Sequence, residues 1–356
     1  MKKLQWTRAL IITFTWALLG IFQTFYDHLF LKSHFISESS EQYEFVTVLI
    51  SNFLFGLFGG FIGGMVLIFV DERYRTRPYI YTVSIIVFFF LAITGTITVL
   101  YSLVLSSLAF PLFSEGWINN FELLVYTSMH LKNLLFWGST VAITYFFLQM
   151  SNKFGPGILF KILIGKYNIP KTENRIFMFL DLKSSTSIAE KLGSEKYHEF
   201  LKDVFSDITA AIINSGGEIY QYVGDEVVIS WKAGEKLKNN DSIRCYFEIQ
   251  NSIAKLSSKY LDKYSQIPEF KAGAHYGAVV AGEIGVIKRD ITYSGDTLNT
   301  CARIQAECNN LDSKFLISND LFQLIKNISK EFSFLTKGDI ILRGKKEPLN
   351  LLSVSS

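Results

Sequence analysis

Cysteine, histidine and proline are all scarce in this 356-residue chain: three, five and six residues respectively. Cys245, Cys301 and Cys308 form no CxxC pair, and the histidines have no metal-binding spacing, so neither a disulfide framework nor a zinc site is expected. This cysteine usage points to a reducing compartment and to thiols that only pack. Net charge is also small, +3, and evenly spread, which argues against a nucleic-acid partner. Charge is scarcest between Ala9 and Met150, where Phe, Leu, Ile, Val and Gly crowd together, whereas from Lys171 onward the composition is that of a water-exposed globular domain. The length suggests two or three domains.

A helix needs about 20 apolar residues to cross a bilayer. Four segments meet that length, at Ala9–Phe30, Phe45–Val70, Tyr79–Leu108 and Phe121–Gln149, and define an all-α transmembrane domain over 1–150. The first is too long for a signal peptide and has no small-residue cleavage site, so an anchor is expected. Lys2, Lys3 and Arg8 precede span one, Arg73, Arg75 and Arg77 separate spans two and three, and Lys153, Lys161 and Lys166 follow span four. The other two loops are poor in Lys and Arg, which places both termini and the C-terminal half on the cytoplasmic side of the cell membrane. Asp27, His28, His130, Lys132 and Asn133 are polar residues at membrane depth. Two histidines could bind a cofactor, but helix-joining or snorkelling roles are the commoner use. The run "GLFGGFIGG" (Gly56–Gly64) predicts close helix packing and hints at dimerisation.

Residues 151–171 form a juxtamembrane linker. "GPG" should end the fourth helix, since Pro156 removes a donor. "ILFKILI" is too short to span, and it suits an interfacial helix, a dimer contact or a piece of the soluble core equally well.

The region 172–356 carries the chemistry. "RIFMFLDLKSST" reads as a buried strand, Ile176–Leu180, that delivers Asp181 at its end, followed by a strand-to-helix turn whose N–H groups suit phosphate. "GGEIYQYVGDEVVISW" reads as a hairpin with Gly224 first in a two-residue loop and Asp225 at the tip. Two carboxylates so placed suit Mg²⁺, which takes oxygen ligands and keeps positions open for phosphates. "ITYSGDTLNTCARIQAECN" gives a strand, a turn and a helix that presents Asn299 and Arg303, i and i+4, on one face.

Five blocks in order, "FMFLDLKSST", "GGEIYQYVGDEVVISW", "AGAHYGAVVAGEIG", "ITYSGDTLNTCAR" and "ILRGKKEPLNLLSV", resemble the catalytic domain of class III adenylate and guanylate cyclases. The resemblance implies an α+β ferredoxin-like domain that turns a nucleoside triphosphate into its 3′,5′-cyclic monophosphate and pyrophosphate. It implies that Asp181 and Asp225, with the Leu182 carbonyl, hold two Mg²⁺ ions, for which Mn²⁺ can substitute. Lys183, Ser184, Ser185 and Thr186 would meet phosphates, Asn299 would orient the ribose, and Arg303 would neutralise the transition state. Arg343 or Lys345 would hold the polyphosphate. It also implies a head-to-tail homodimer, in which one subunit supplies the aspartates and the other the Asn/Arg pair.

Gln221 and Thr292 occupy the positions at which this family reads the base. Most of its adenylate cyclases have Lys where Gln221 stands, and Thr at position 292 resembles a subclass that uses ATP. The guanylate enzymes usually carry Glu and a small residue there. Gln can donate and Thr can accept, as adenine requires, although both groups can reverse these roles. ATP is therefore the expected substrate, with GTP the alternative. "YVGDEVV" also resembles the GGDEF signature of diguanylate cyclases, but Val223 replaces the first glycine and that family has no Asn–x₃–Arg helix. A cyclase-like signalling protein without activity is the non-enzymatic alternative, and the retention of Asp181, Asp225, Asn299 and Arg303 argues against it.

Overall fold

The computed structural model describes residues 2–34, 45–74, 77–125, 128–155, 157–234, 240–287, 289–325 and 331–356. They divide into two compact units, Met1–Lys153 and Phe154–Ser356.

The first unit is helical: α1 (Lys2–His34), α2 (Phe45–Arg73), α3 (Tyr79–Ala109), α4 (Glu115–Val125) and α5 (Ser128–Phe154). Among the described residues, four stretches are long and apolar enough to cross a membrane: Leu4–Leu29, Val48–Arg73, Tyr79–Ala109 and Leu131–Phe154. The fourth begins later than the sequence pattern suggests, because Phe121 belongs to the separate helix α4, which has Glu115 in its first turn. Glycines bring α1 and α2 to backbone contact: a Cβ on Gly56 would stand 2.4 Å from the Trp16 carbonyl oxygen, and one on Gly60 would stand 3.0 Å from the Thr13 Cα. The small-residue run thus packs α2 on α1 of the same chain, as small residues do where no water drives helices together. Polar side chains join α1 to α5. Lys132 Nζ lies 2.6 Å from an Asp27 oxygen, Gln23 donates to Asn133 at 2.7 Å, and the Trp16 indole donates to Thr144 at 2.9 Å. Asp27 and Lys132 therefore act as helix-joining residues, while the His130 side chain lies outside the described residues.

The second unit starts with the short helix α6 (Ile158–Leu163), which buries none of its residues. Strand β1 (Lys171–Leu182) follows. Its run Ile176–Leu180 is buried and central, paired antiparallel with β3 (Glu226–Lys232) on one side and β4 (Phe270–Ile284) on the other. Strand β2 (Glu218–Val223) completes the hairpin with β3, and β5 (Asp290–Ser294) folds back on β4. The order β2-β3-β1-β4 is that of a ferredoxin-like sheet, extended beyond β4 by β6 (Phe315–Ser318), β8 (Leu349–Ser355) and β7 (Ser333–Ile340).

The two faces of this sheet are covered unequally. On one, α7 (Ser185–Leu192), α8 (Ser194–Asn214), α9 (Asp241–Lys255) and α10 (Ser257–Tyr264) accompany a large core around Met178, Leu180, Ile208, Trp231 and Ile249. The other carries α11 (Asp296–Ala306) over a small cluster of Phe177, Phe179, Val228, Val279 and Cys301. Glycines on β4 let α11 settle: a Cβ on Gly273 would stand 2.3 Å from the Gln305 backbone nitrogen. Helix α12 (Asn319–Leu324) starts at Ser318, whose hydroxyl caps it by accepting from the Leu321 N–H.

Candidate functional site

Asp181 ends the buried run of β1, and Asp225 occupies the tip of the β2–β3 hairpin. Gly224 has φ +60° and Asp225 keeps a negative φ, as a loop with glycine first requires. Burial is the main cause that pushes the Asp181 carboxyl up to about 6, helped by the negative charge of Asp225, while Lys271 and a hydrogen bond from Gln305 oppose it. Gln305 Nε2 donates to Asp181 Oδ2 at 3.1 Å. Glu226, the cross-strand partner of Asp181, is pushed up to about 7 by burial and then by the charges of Asp181 and Asp225. Three carboxylates therefore crowd one another, which is the electrostatic condition that a bound cation relieves. Among the described residues no group of three or more His, Cys, Asp or Glu is arranged to hold a metal ion, so these carboxylates are not a closed metal cage. The oxygen-only, partly buried Asp181/Asp225 pair, with the backbone of Leu182 beside it, fits a hard divalent cation that shares its remaining positions with substrate oxygens.

After Leu182 the chain turns. The Lys183 N–H donates to the Glu269 carbonyl, and the Lys183 ammonium lies 3.4 Å from a Glu269 carboxylate oxygen. Ser184 takes a left-handed φ of +59°, and α7 opens at Ser185 with Thr186 in its first turn. Tyr197 of α8 reaches this turn through Ser185. Burial, followed by the charge of Asp225, raises its phenol pKa. Its position beside the carboxylates was not legible from sequence, because in "SEKYHEF" it reads as one more core aromatic.

Asn299 and Arg303 lie elsewhere. Thr297, Thr300, Cys301 and Ile304 bury the inner face of α11, and Asn299 is exposed. The Arg303 guanidinium lies against Gly344, where a Cβ would stand 3.6 Å from Nη2 and where φ is +71°. Lys345, one residue on, forms an ion pair with Asp296 in the first turn of α11. That contact is the leading reason the Asp296 carboxyl stays below its usual range. Arg343 is exposed, so Lys345 is the basic residue of this loop held against α11. At about 100° per residue, Gln305 points about 160° away from Arg303 and about 120° away from Asn299. One chain thus keeps Asp181 on one side of α11 and the Arg303–Gly344–Lys345 group on the other.

Gln221 owes its orientation to an irregularity. Pairing runs Ile219 to Ile229 and then Gln221 to Val228, so Tyr220 is bulged out of register. The bulge sets Gln221 opposite Val228, on the α11 face, and turns Tyr222 to the other face, where its ring lies 4.8 Å from Phe205 of α8. Thr292 stands opposite Gly282, with its hydroxyl directed at the Gly282 carbonyl at 3.5 Å. The neighbours of these two residues meet: the Tyr220 and Tyr293 rings are 5.0 Å apart.

The sequence reading missed Arg175, which is 1% exposed on β1. It donates to Glu173 at 3.1 Å, to Ser230 at 2.7 Å and to Glu218 at 3.0 Å, and its guanidinium stands 4.5 Å from the Tyr293 ring centroid. The available signal was a basic residue wedged between Glu173 and a run too apolar to accept an unpaired charge.

Residues 168–352 match the model of the adenylate and guanylate cyclase catalytic domain. The chain therefore belongs to the class III nucleotidyl cyclase family. Adenylate cyclase 2 of Rhizobium meliloti (strain 1021) is 37% identical over 51% of this chain and 50% of its own length. An adenylate cyclase of Anabaena cylindrica is 26% identical over 52% of the chain and 37% of its own length. The chain thus spans half or less of these relatives, and receptor-type guanylate cyclases of Caenorhabditis also match. A bacterial light-regulated adenylyl cyclase structure superposes with a TM-score of 0.52 at 22% identity, covering 61% of this chain and 64% of that one, which supports the fold.

Proposed function

We propose that the protein is a membrane-anchored adenylate cyclase that closes ATP to 3′,5′-cyclic AMP and releases pyrophosphate, working as a homodimer. The observation that carries this reading is the separation across α11. Asp181 and Asp225 form one half-site, and Asn299, Arg303 and Lys345 form the other, on the far side of the helix. A second copy, arranged head to tail, brings complementary halves together.

Asp181, Asp225 and the Leu182 carbonyl would hold two Mg²⁺ ions, or Mn²⁺ in their place, which supply charge neutralisation at the α-phosphate and make the ribose 3′-hydroxyl easier to ionise. Arg303 offers a fixed guanidinium to the oxygens of the transferring phosphoryl group, where negative charge grows in the transition state. Asn299, one turn earlier on the same face, orients the ribose. Lys345, pre-set by Asp296, holds the polyphosphate, and the turn offers the backbone N–H groups of Ser184, Ser185 and Thr186 to the phosphates.

The preference for ATP rests on Thr292. Its hydroxyl oxygen stands 3.5 Å from the Gly282 carbonyl, which can only accept; a hydroxyl that donates there presents its lone pairs to the adenine amino group, where guanine would present a carbonyl. Gln221 then donates to the adenine ring nitrogen. The distribution of Lys and Arg among the loops favours a cytoplasmic catalytic domain on a multi-pass anchor in the cell membrane.

The test is to incubate the detergent-solubilised full chain with ATP or GTP and Mg²⁺ or Mn²⁺ and to identify the cyclic product. Cyclic AMP is expected. Cyclic GMP alone would replace the adenylate reading, and no product from either nucleotide would make the protein a cyclase-like signalling partner.

A further inference from the structure

Arg175 has no part in the chemistry above, yet it is among the most deeply buried charges in the second unit. A guanidinium at 1% exposure persists only if its donors are all engaged. Its partners come from three places. Glu173 lies on its own strand, Ser230 and Glu218 belong to the β2–β3 hairpin, and Tyr293 sits on β5. Arg175 therefore ties β2 to β5 across the α11 face of the sheet. The tie lies one residue from Thr292, and through the Tyr220–Tyr293 ring contact it lies one residue from Gln221. Phe177, with ring centroids 5.4 Å from Tyr293 and 6.5 Å from Tyr220, fills the space between.

The same network reaches outward. Glu218 offers one oxygen to Arg175 and the other to Lys161 Nζ, at 2.6 Å. Lys161 belongs to α6, the first element after the last membrane helix in the chain, and it is the α6 side chain whose polar group bonds to the catalytic sheet. The second carboxylate, Glu173, is balanced by Lys232 at 3.3 Å and by Lys166 of the same linker at 3.9 Å. Tyr167, itself buried, accepts the Glu283 N–H through its carbonyl at 3.0 Å, so the linker also grips β4 next to the β5 pairing.

We propose that Arg175 is a positioning residue that sets the two base-recognition strands, and that Lys161 of the juxtamembrane helix governs its setting through Glu218. A displacement of α6 pulls on Glu218, which shifts the guanidinium under Tyr293 and so moves Thr292 relative to Gln221. The quantity under control is nucleotide affinity and base choice, not the phosphoryl-transfer step, whose residues lie outside this network. This rests on reading Gln221 and Thr292 as the residues that contact the base.

The test compares the full chain with its Lys161→Met and Lys161→Arg variants. Lys161 is partly buried but belongs to the linker helix and not to the sheet, so its replacement leaves the other partners of Arg175, Glu173, Ser230 and Tyr293, in place. The first measurement is amide hydrogen exchange without nucleotide. Lys161→Met should speed exchange in β2 and also in β5 at Asp290–Ser294, which Lys161 does not touch, while Lys161→Arg should restore wild-type exchange. The second is turnover. Lys161→Met should raise KM for ATP about five-fold and narrow the preference for ATP over GTP, with kcat within about two-fold of wild type and recovery in Lys161→Arg. Faster exchange confined to α6 and β2, with β5 unchanged, overturns the relay. So does a fall in kcat at unchanged KM. If the wild-type chain makes no cyclic nucleotide, the proposed function fails by itself, and the exchange at β5 still decides whether the relay exists.

Discussion

Gln305 and Arg303 sit two residues apart on α11, yet they face different partners: Gln305 donates to Asp181, whereas Arg303 lies against the Gly344 turn beside Lys345. On the Gln305 side burial, and after it the crowding of negative charge, raises the pKa values of Asp181 and Glu226. The Arg303 side is basic and open, with Asn299 exposed. Neither side has what the other supplies. On the reading proposed above, the difference teaches that the helix acts as a partition, and that a monomer would be incomplete for a structural reason and not through the loss of any residue.

The sharpest way to break this comparison is to remove one side. Asp225→Ala and Arg303→Ala should each reduce turnover by about 10³-fold or more, with the dimer intact by light scattering. Retained turnover in either variant would remove that residue from the site. Mixing the Asp225→Ala and Asn299→Ala chains should then restore roughly a quarter of the wild-type rate, since half of the randomly formed dimers are mixed and each has one complete site. If no activity returns, the two sides do not meet across a dimer.

Smaller effects sharpen the picture on each side separately. Gln305→Leu should weaken the apparent Mn²⁺ affinity about ten-fold, measured by metal titration of activity, while kcat at saturating metal changes little. Thr292→Val removes the proposed acceptor and should raise KM for ATP roughly ten-fold at nearly constant kcat. The acidic side also predicts a pH dependence. In the folded chain Asp181 titrates near 6 and Glu226 near 7, above their unfolded values, so the metal-free native state binds more protons than the unfolded state in the intervening window. Its stability should therefore fall as pH rises from about 4 to about 7 and level off above that. A divalent cation should flatten that slope, and thermal unfolding of the full chain with and without Mn²⁺ measures it.

Much of this architecture was legible in the sequence, because its signals are local. The apolar helices are contiguous runs, the central strand is the run Ile176–Leu180, and the hairpin is announced by Gly224 between β-branched stretches. Site residues that close a strand or lie i, i+4 on a helix are legible in the same way. The opaque parts depend on contacts between distant segments. Arg175 cannot be paired with Glu218 and Tyr293 without the sheet order. The beginning of the fourth membrane helix depends on where α4 separates from α5, and hydropathy blurs that break. The glycines of α2 were legible as a packing surface, but only the fold shows that α1 is the surface they pack on.

The bulge at Tyr220 places one extra residue in β2 and sets Tyr220 and Gln221 together on the α11 face. Deleting Tyr220 would restore unbroken alternation along the strand and leave Gln221 opposite Val228, while removing the ring that meets Tyr293. On the proposed reading of Gln221 and Thr292, a single-codon deletion would retune the recognition of the nucleotide while leaving the proposed metal and phosphate residues in place. On the proposed reading of Gln221, strand length would itself be a heritable determinant of substrate choice.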